Sequence, residues 1–192
     1  MLHHCERTTL KNALKKIEVL DVRNKVGIDN FDEDNITKFR SNCKNPKLRN
    51  IYFRLIHNDF FTHVRMKKYK MTVTDECPRC NMTETSRHLL YDCVHVKNIW
   101  SLFNNLVTQI RNGQECVNNY EDVFQACELS AINILKAKLI QALIQIERPL
   151  NWNREKLLDT IKELMHIERY NAIVSRTVDK FKVKWDLFEN II

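Results

Sequence analysis

Apolar residues recur at steps of three and four along much of the 192-residue chain, the spacing of helices that bury one face. Residues 46–61 show it most clearly and predict a strong helix that opens at Pro46, since proline is favoured in the first helical turn. Its apolar positions are Leu48, Ile51, Tyr52, Leu55, Ile56 and Phe60. The charged residues Lys47, Arg49 and Arg54 fall on its other faces.

The same spacing predicts four further helical regions. A first helix covers about residues 8–26 and ends at Gly27, as helices commonly do. A periodic helix around residues 96–110 ends near Asn112-Gly113, and residues 130–146 are apolar on several sides, which predicts a central helix. Trp152 begins a final region whose apolar positions are Leu157, Ile161, Leu164, Phe181, Trp185 and Phe188.

Turn residues are scarce: the chain has two glycines and three prolines. All-β folds need many special turn residues, so the expected class is all-α. An apolar fraction of 44% and a charged fraction of 29% are those of a globular protein. The N-terminus is charged and has no signal-like apolar segment, and no run is long enough to span a membrane, so a cytoplasmic or nuclear, non-secreted protein is expected.

One stretch, CPRCNMTETSRHLLYDC at residues 77–93, indicates chemistry rather than packing. Its spacing, C-x2-C-x7-H-x4-C, offers four ligands of the types that zinc prefers: Cys77, Cys80, His88 and Cys93. Pro78 suits a tight turn between the first two cysteines. The expected cofactor is one structural zinc ion, since four protein ligands leave no open position for substrate.

The last two ligands constrain the local backbone. A helix capped by Thr83 or Thr85 would present both, yet five helical steps place His88 and Cys93 about 140° apart. Cys93 is therefore expected where the helix frays or ends, and His95 is a substitute ligand. Leu89 and Leu90 should bury against neighbouring helices.

Other interpretations of this stretch remain open. CPRC has the C-P-x-C form of some dithiol oxidoreductases, but no βαβ pattern surrounds it. A nucleophilic Cys–His pair would need a group that orients the histidine, and a structural coincidence is a third option. The remaining cysteines, Cys5, Cys43, Cys116 and Cys127, are expected to be thiols without function, because a reducing compartment disfavours disulfides.

Positive charge is concentrated just before the cysteines. Residues 44–70 hold eight cations, including Lys44, and one anion, a balance of +7 that equals the charge of the whole chain. Such a cluster is either a solvated helix face or a surface for nucleic-acid phosphates. Interleaved aromatic residues could stack on bases, although at helical spacing they are more often core: Tyr52, Phe53, Phe61, His63 and Tyr69. The predicted phosphate contacts are Lys47, Arg49, Arg54, Arg65, Lys67, Lys68 and Lys70, with Arg79 and Arg87 extending the surface and offsetting the thiolate charge.

Residues 45–100 resemble the zinc-binding region that follows the reverse transcriptase of LINE-type non-LTR retrotransposons. The resemblance rests on a basic amphipathic helix, a Thr-x-x-Arg step from Thr62 to Arg65, the C-x2-C pair and the residues that follow it: Glu84, His88-Leu89, Cys93 and Trp100. Residues 146–192 resemble the segment that closes the second-frame protein of long interspersed elements, including its F-x-x-x-W ending from Phe181 to Trp185.

The resemblance implies the C-terminal, nucleic-acid-binding domain of a retrotransposon polyprotein, or a host protein derived from one. Its partners would be RNA or DNA and the reverse transcriptase core, with no membrane. The chain has no Asp-Asp pair of the polymerase type and no room for an endonuclease domain, so no enzyme activity is expected. The predicted organisation is a helical region at 1–45, a basic helix with a CCHC module and following helix at 46–112, and a helical bundle region at 113–192. The rival function is a protein-interaction module in which zinc stabilises a helical scaffold. The zinc module is long enough to contain a short β-hairpin.

Overall fold

The computed structural model of the protein describes residues 24–28, 34–35, 38, 41, 45–145, 152–189 and 191. Within these residues the regular helices are α1 Pro46–Ile56, α2 His63–Lys68, α3 Val94–Ile110, α4 Ser130–Ile144, α5 Arg154–Val174 and α6 Val178–Glu189. A π-helical turn, His88–Asp92, precedes α3, and a 3₁₀ turn, Glu121–Val123, lies between α3 and α4.

The predicted all-α class is confirmed. No strand occurs in the described ranges. In place of the short β-hairpin that the zinc module could contain, the structure has one isolated antiparallel bridge, between Glu76 and Thr83. Residues 24–26 are helical and Gly27 takes a φ of 69°, which agrees with a helix end there. The rest of the first predicted helix, together with Cys5, Cys43 and Lys44, lies outside the described residues.

Helix α1 begins as predicted and ends earlier than predicted. The Asn45 side chain caps it by accepting from the Lys47 amide, and Pro46 occupies the first turn. The helix stops at Ile56 because Asn58 adopts a φ of 50°, while the amides of Asn58 and Asp59 bond back to the carbonyls of Leu55 and Arg54 at 3.0 and 2.7 Å. Its predicted apolar stripe is buried, and Phe60 reaches the core from the turn rather than from the helix.

Helix α4 is the centre of the fold, as its all-round apolar pattern predicted. It packs against α1, the π-helical turn and α6. Residues 131–137 are all buried, including Lys136, which is 0% exposed. An apolar face that continues around most of a helix can be covered only by neighbours on several sides.

Burial of Lys136 is tolerated because two backbone carbonyls accept hydrogen bonds from its ammonium group in place of water. Its Nζ donates to the carbonyl oxygen of Asp122 at 2.8 Å and to that of Gln125, which lie in and just after the 3₁₀ turn. Burial lowers the pKa of Lys136 to about 7, and the nearby Asp122 carboxylate opposes that shift. The lysine therefore secures the 3₁₀ turn to the central helix at an electrostatic cost.

Helices α5 and α6 pair through the residues of the predicted tail motif. Trp185 is buried and its indole N–H donates to Glu168 on α5 at 2.9 Å, while Lys184 pairs with the same carboxylate at 2.6 Å. The predicted apolar positions of this region are all buried: Leu157, Ile161, Leu164, Phe181, Trp185 and Phe188. The described helices contain none that is long and apolar enough to cross a bilayer.

The expectation of free thiols is wrong for one pair of cysteines. Cys116 and Cys127 form a disulfide, with their sulfurs 2.34 Å apart. The chain between them folds back through the 3₁₀ turn, which brings the two cysteines together. Their spacing in the sequence does not predict this contact.

We predict that stability rises with pH through Lys136. An unfolded lysine titrates near 10.5 and the folded one near 7, so the unfolded state binds more protons between these values and the free energy of unfolding increases from about pH 7 to 9.5. Lys136→Met should flatten this dependence in urea unfolding. Lys138→Met, a change on the same helix at a partly exposed side chain, is the control and should keep the wild-type slope. Equal slopes in all three proteins would contradict the prediction.

Candidate metal centre

The four predicted zinc ligands converge in the structure. One ligand atom from each of Cys77, Cys80, His88 and Cys93 lies within 4.8 Å of the other three. Cys77 and Cys93 are buried and the other two are half-buried. Residues separated by up to sixteen positions thus form one pocket of three sulfurs and one imidazole.

The separations fit a tetrahedral ion. A tetrahedron with Zn–S bonds of about 2.3 Å has an S–S edge of about 3.8 Å, and the Cys80 and Cys93 sulfurs are 3.8 Å apart. The Cys80 sulfur and His88 Nε2 are 3.2 Å apart, somewhat shorter than the corresponding S–N edge. The donor set and its size are therefore compatible with one zinc ion, with all four positions supplied by protein.

A tight turn positions the first two ligands. The Cys77 amide donates to the Met82 carbonyl at 2.7 Å, and the Asn81 amide donates to the Cys77 carbonyl at 2.9 Å. Asn81 has a φ of 60°, a left-handed conformation that asparagine tolerates better than most residues. Pro78 lies within this turn, as predicted, and both thiols face the same ion position.

The π-helical turn brings the last two ligands, His88 and Cys93, close to each other. Thr85 caps the helical residues 86–87 that lead into this turn by accepting from the His88 amide at 3.1 Å, which confirms one of the two predicted caps. The Cys93 amide then donates to the His88 carbonyl at 3.1 Å, a hydrogen bond across five residues instead of four. The helix also ends at Cys93, which takes a ψ of 132° before α3 begins. The wider turn and this end together bring His88 and Cys93 to the same ion.

The metal centre is continuous with the hydrophobic core. Leu89 and Leu90, on the π-helical turn, are buried at 1% and 0% exposure, as predicted. Trp100 on α3 is also buried, and its indole N–H donates to the Leu90 carbonyl at 2.8 Å. The tryptophan of the sequence motif thus satisfies a backbone carbonyl that a regular helix would have used itself.

The surroundings of Cys77 favour metal over thiol chemistry. Burial raises the pKa of the Cys77 thiol to about 12; the backbone amides of Arg79 and Cys80 oppose this shift, and the Cys93 and Cys80 side chains add to it. A reactive dithiol needs a depressed pKa, usually at a helix N-terminus after a strand, and no strand precedes Cys77 in the described residues. A divalent cation supplies the positive charge that three clustered thiolates require.

Glu84, which the sequence indicated only as a position of the family motif, links the loop between Cys80 and His88 to the basic segment, defined as residues 44–70. Glu84 is 0% exposed, and its carboxylate accepts from the His63 backbone amide at 3.0 Å and contacts His63 Nδ1 at 2.9 Å. Thr62 caps the same helix, α2, by accepting from the Arg65 amide. The only sequence signal for this bond was the acidic position of the motif.

Several predicted phosphate-binding residues hold local contacts. Arg65 donates to the carbonyls of Asn58 and Phe60, and Arg54 donates to that of Asp59, so both fix the turn after α1. Arg87 pairs with Asp92 and lies over the Tyr120 ring, while Lys67 pairs with Asp75. Arg79 is half-buried beside the metal cluster.

The other predicted cations are exposed and have no ion-pair partner among the described residues: Lys47, Arg49, Lys68 and Lys70. Lys67 adds to them, because its exposed pair with Asp75 contributes little to stability. His95, the substitute ligand, instead bonds the Arg79 carbonyl through Nε2 at 3.1 Å.

We predict one zinc ion per purified chain. Cys93→Ser or His88→Ala should abolish zinc binding, and a strong chelator should remove the metal from the wild type and lower its helical content and melting temperature, because the π-helical turn and α3 depend on the ion. His95→Ala is the matched control and should retain zinc. The measurements are elemental analysis and circular dichroism. Metal-free protein with full helicity would contradict the site.

We predict separately that Glu84→Ala weakens the fold without removing the metal. The change leaves the His63 amide without the buried carboxylate that accepts its hydrogen bond, which costs about 1–3 kcal/mol of unfolding free energy. Glu76→Ala, at an exposed position of the same loop, should cost far less. Chemical denaturation with parallel zinc analysis tests this, and equal stability of the two variants would show that the Glu84 contact is dispensable.

A comparison with protein families matches residues 22–100 to the family described as zinc-binding in reverse transcriptase. The matched residues contain α1, α2, all four cysteine and histidine ligands, and Trp100. No curated protein and no solved structure gives a significant match to the chain. Residues 22–100 thus match the zinc-binding family of reverse transcriptases, which confirms the resemblance to that family for this region, while the LINE-type assignment stays a prediction.

Proposed function

We propose that this protein binds nucleic acid without catalysis, as the C-terminal domain of a LINE-type retrotransposon polyprotein or of a host protein derived from one. The observation that carries the proposal is the attachment of a basic segment to a four-ligand metal centre through Glu84 and His63. RNA or a primer–template hybrid is the ligand class that the resemblance favours.

The charge of the basic segment supports a phosphate-binding role. Lys68 ends α2 and Lys70 lies two residues beyond it, and both are exposed without ion-pair partners in the described part of the chain. Lys47 and Arg49 are likewise exposed on α1. Exposed cations near a polyanion gain affinity by releasing its condensed counterions, whereas Arg54 and Arg65 serve to keep the segment in shape.

The metal centre supports a structural role for zinc. All four tetrahedral positions are taken by side chains, so substrate has no coordination site there. The ion would fix the relative position of the C-x2-C turn and the π-helical turn. Glu84 lies between these two turns and its carboxylate bonds His63, the first residue of α2. Zinc removal should therefore weaken nucleic-acid binding through loss of the surface's shape.

A protein-interaction function has one observation in its favour. Helices α5 and α6 expose several large apolar side chains: Ile167, Tyr170, Ile173, Val174, Val178, Val183 and Leu187. A contiguous patch of such residues would be typical of a contact with another protein or domain. These side chains lie on the predicted tail and are compatible with docking to the reverse transcriptase core, in addition to nucleic-acid binding by the basic segment.

We predict that Lys68→Glu/Lys70→Glu weakens binding to RNA and DNA. Wild-type affinity should fall steeply between about 50 and 200 mM salt, and the variant should show lower affinity and a shallower dependence of log K on log salt, because fewer counterions are released. Fluorescence anisotropy over a salt series measures both quantities.

The matched control is Lys162→Glu/Lys182→Glu, which changes net charge equally at exposed positions on α5 and α6. It should leave the salt slope close to that of the wild type. If the two double variants behaved alike, binding would depend only on net charge. If the wild type bound neither RNA nor DNA, the proposed function would be wrong and the protein-interaction role would be favoured.

A further inference from the structure

An open recess lies at the end of the basic segment. It has a volume of about 500 Å³ and is lined by the turn after α1 and by the residues that end α2, including Phe61, Arg65, Tyr69 and Met71. Phe53 lies beside it, since its ring centroid is 4.2 Å from that of His57, another lining residue.

Aromatic side chains are exposed at this place to an unusual degree. In the described part of the chain, the exposed aromatic residues are Phe53, Phe61, Tyr69 and Tyr170, and three of these four belong to the recess or its edge. Tyr69 is 61% exposed and Met71 is 55% exposed. Tyr52, which the sequence also suggested for stacking, is buried in the core at 4%.

Hydrogen bonds to backbone carbonyls fix both sides of the recess. Arg65 bonds the carbonyls of Asn58 and Phe60 on one side. On the other side, Lys70 has a φ of 58°, and the amides of Lys70 and Met71 bond back to the carbonyls of Lys67 and Met66, both at 2.9 Å. Helix ends closed in this way need little ordering when a ligand binds.

Charge and shape together select the ligand. Lys68 and Lys70 flank Tyr69 in the sequence and are exposed, so phosphates and a base can be contacted within one short segment. Aromatic side chains next to cations bind single-stranded nucleic acid by stacking on its bases. Bases within a duplex are already stacked and cannot enter a recess.

We propose that this recess, with Tyr69 as its most exposed aromatic side chain, is a base-stacking site that makes the protein prefer single-stranded over double-stranded nucleic acid. The proposal rests on the proposed nucleic-acid function and adds to it the class of ligand and the residue that selects it. A protein partner that covers the same apolar side chains is the competing occupant.

The test is the binding of a short fluorescein-labelled RNA without secondary structure and of the blunt duplex of the same sequence, for wild type and variants. Tyr69→Ala should lower the affinity for the single strand roughly 5- to 100-fold, the range for one lost stacked base, and leave the duplex affinity unchanged. Tyr69→Phe keeps the ring and should bind like the wild type. Tyr170→Ala, at a 66% exposed tyrosine on α5, is the matched control and should change neither affinity.

The outcomes separate this site from the proposed function. If Lys68→Glu/Lys70→Glu weakens both ligands while Tyr69→Ala weakens neither, nucleic-acid binding stands and the stacking site is wrong, which favours a protein occupant. An equal loss of both ligands in Tyr69→Ala also overturns the single-strand preference. If the wild type binds neither ligand, both proposals fall. Zinc content and circular dichroism of each variant verify that the fold is intact, as expected for so exposed a side chain.

Discussion

The structure depends on bringing four ligands to one ion from a chain that is otherwise helical. A regular helix would place His88 and Cys93 on different faces, and the π-helical turn, together with the end of the helix at Cys93, removes this conflict. The same turn buries Leu89 and Leu90 and packs against the central helix α4. Metal coordination and core packing therefore constrain the same short segment, from His88 to Cys93.

The basic segment depends on that centre through a polar contact rather than through the ion itself. The buried carboxylate of Glu84 holds the first residue of α2, and α2 ends in the exposed cations. Cations of one segment also have different roles. Arginines that bond the turn carbonyls shape the surface, whereas lysines at the end of α2 remain available to a polyanion. Guanidinium groups suit the first role because they donate several hydrogen bonds at fixed angles.

Several parts of this arrangement followed from the sequence because they depend on local spacing. The C-x2-C-x7-H-x4-C pattern identified four ligands that lie together, and the apolar periodicity identified α1, α3, α4 and their buried residues. The end of α1 was predicted too late, since the apolar residue Phe60 continues the periodic pattern while Asn58 turns the backbone into the left-handed region. A local conformation of that kind overrides periodicity.

The sequence by itself determined the helical class, the metal ligands and the concentration of positive charge, because helix periodicity, ligand chemistry and charge are properties of residues and short intervals. Only the tertiary structure decided the π-helical winding between His88 and Cys93, the burial of Lys136 against two carbonyls, the Glu84–His63 contact and the Cys116–Cys127 disulfide. Each of these joins groups whose proximity depends on how separate elements pack or wind. The tertiary structure also decided which aromatic residues face solvent. Tyr52 is buried in the core, whereas Tyr69 is exposed beside an open recess. This difference arises where the ends of α1 and α2 meet, and helical spacing alone does not predict it.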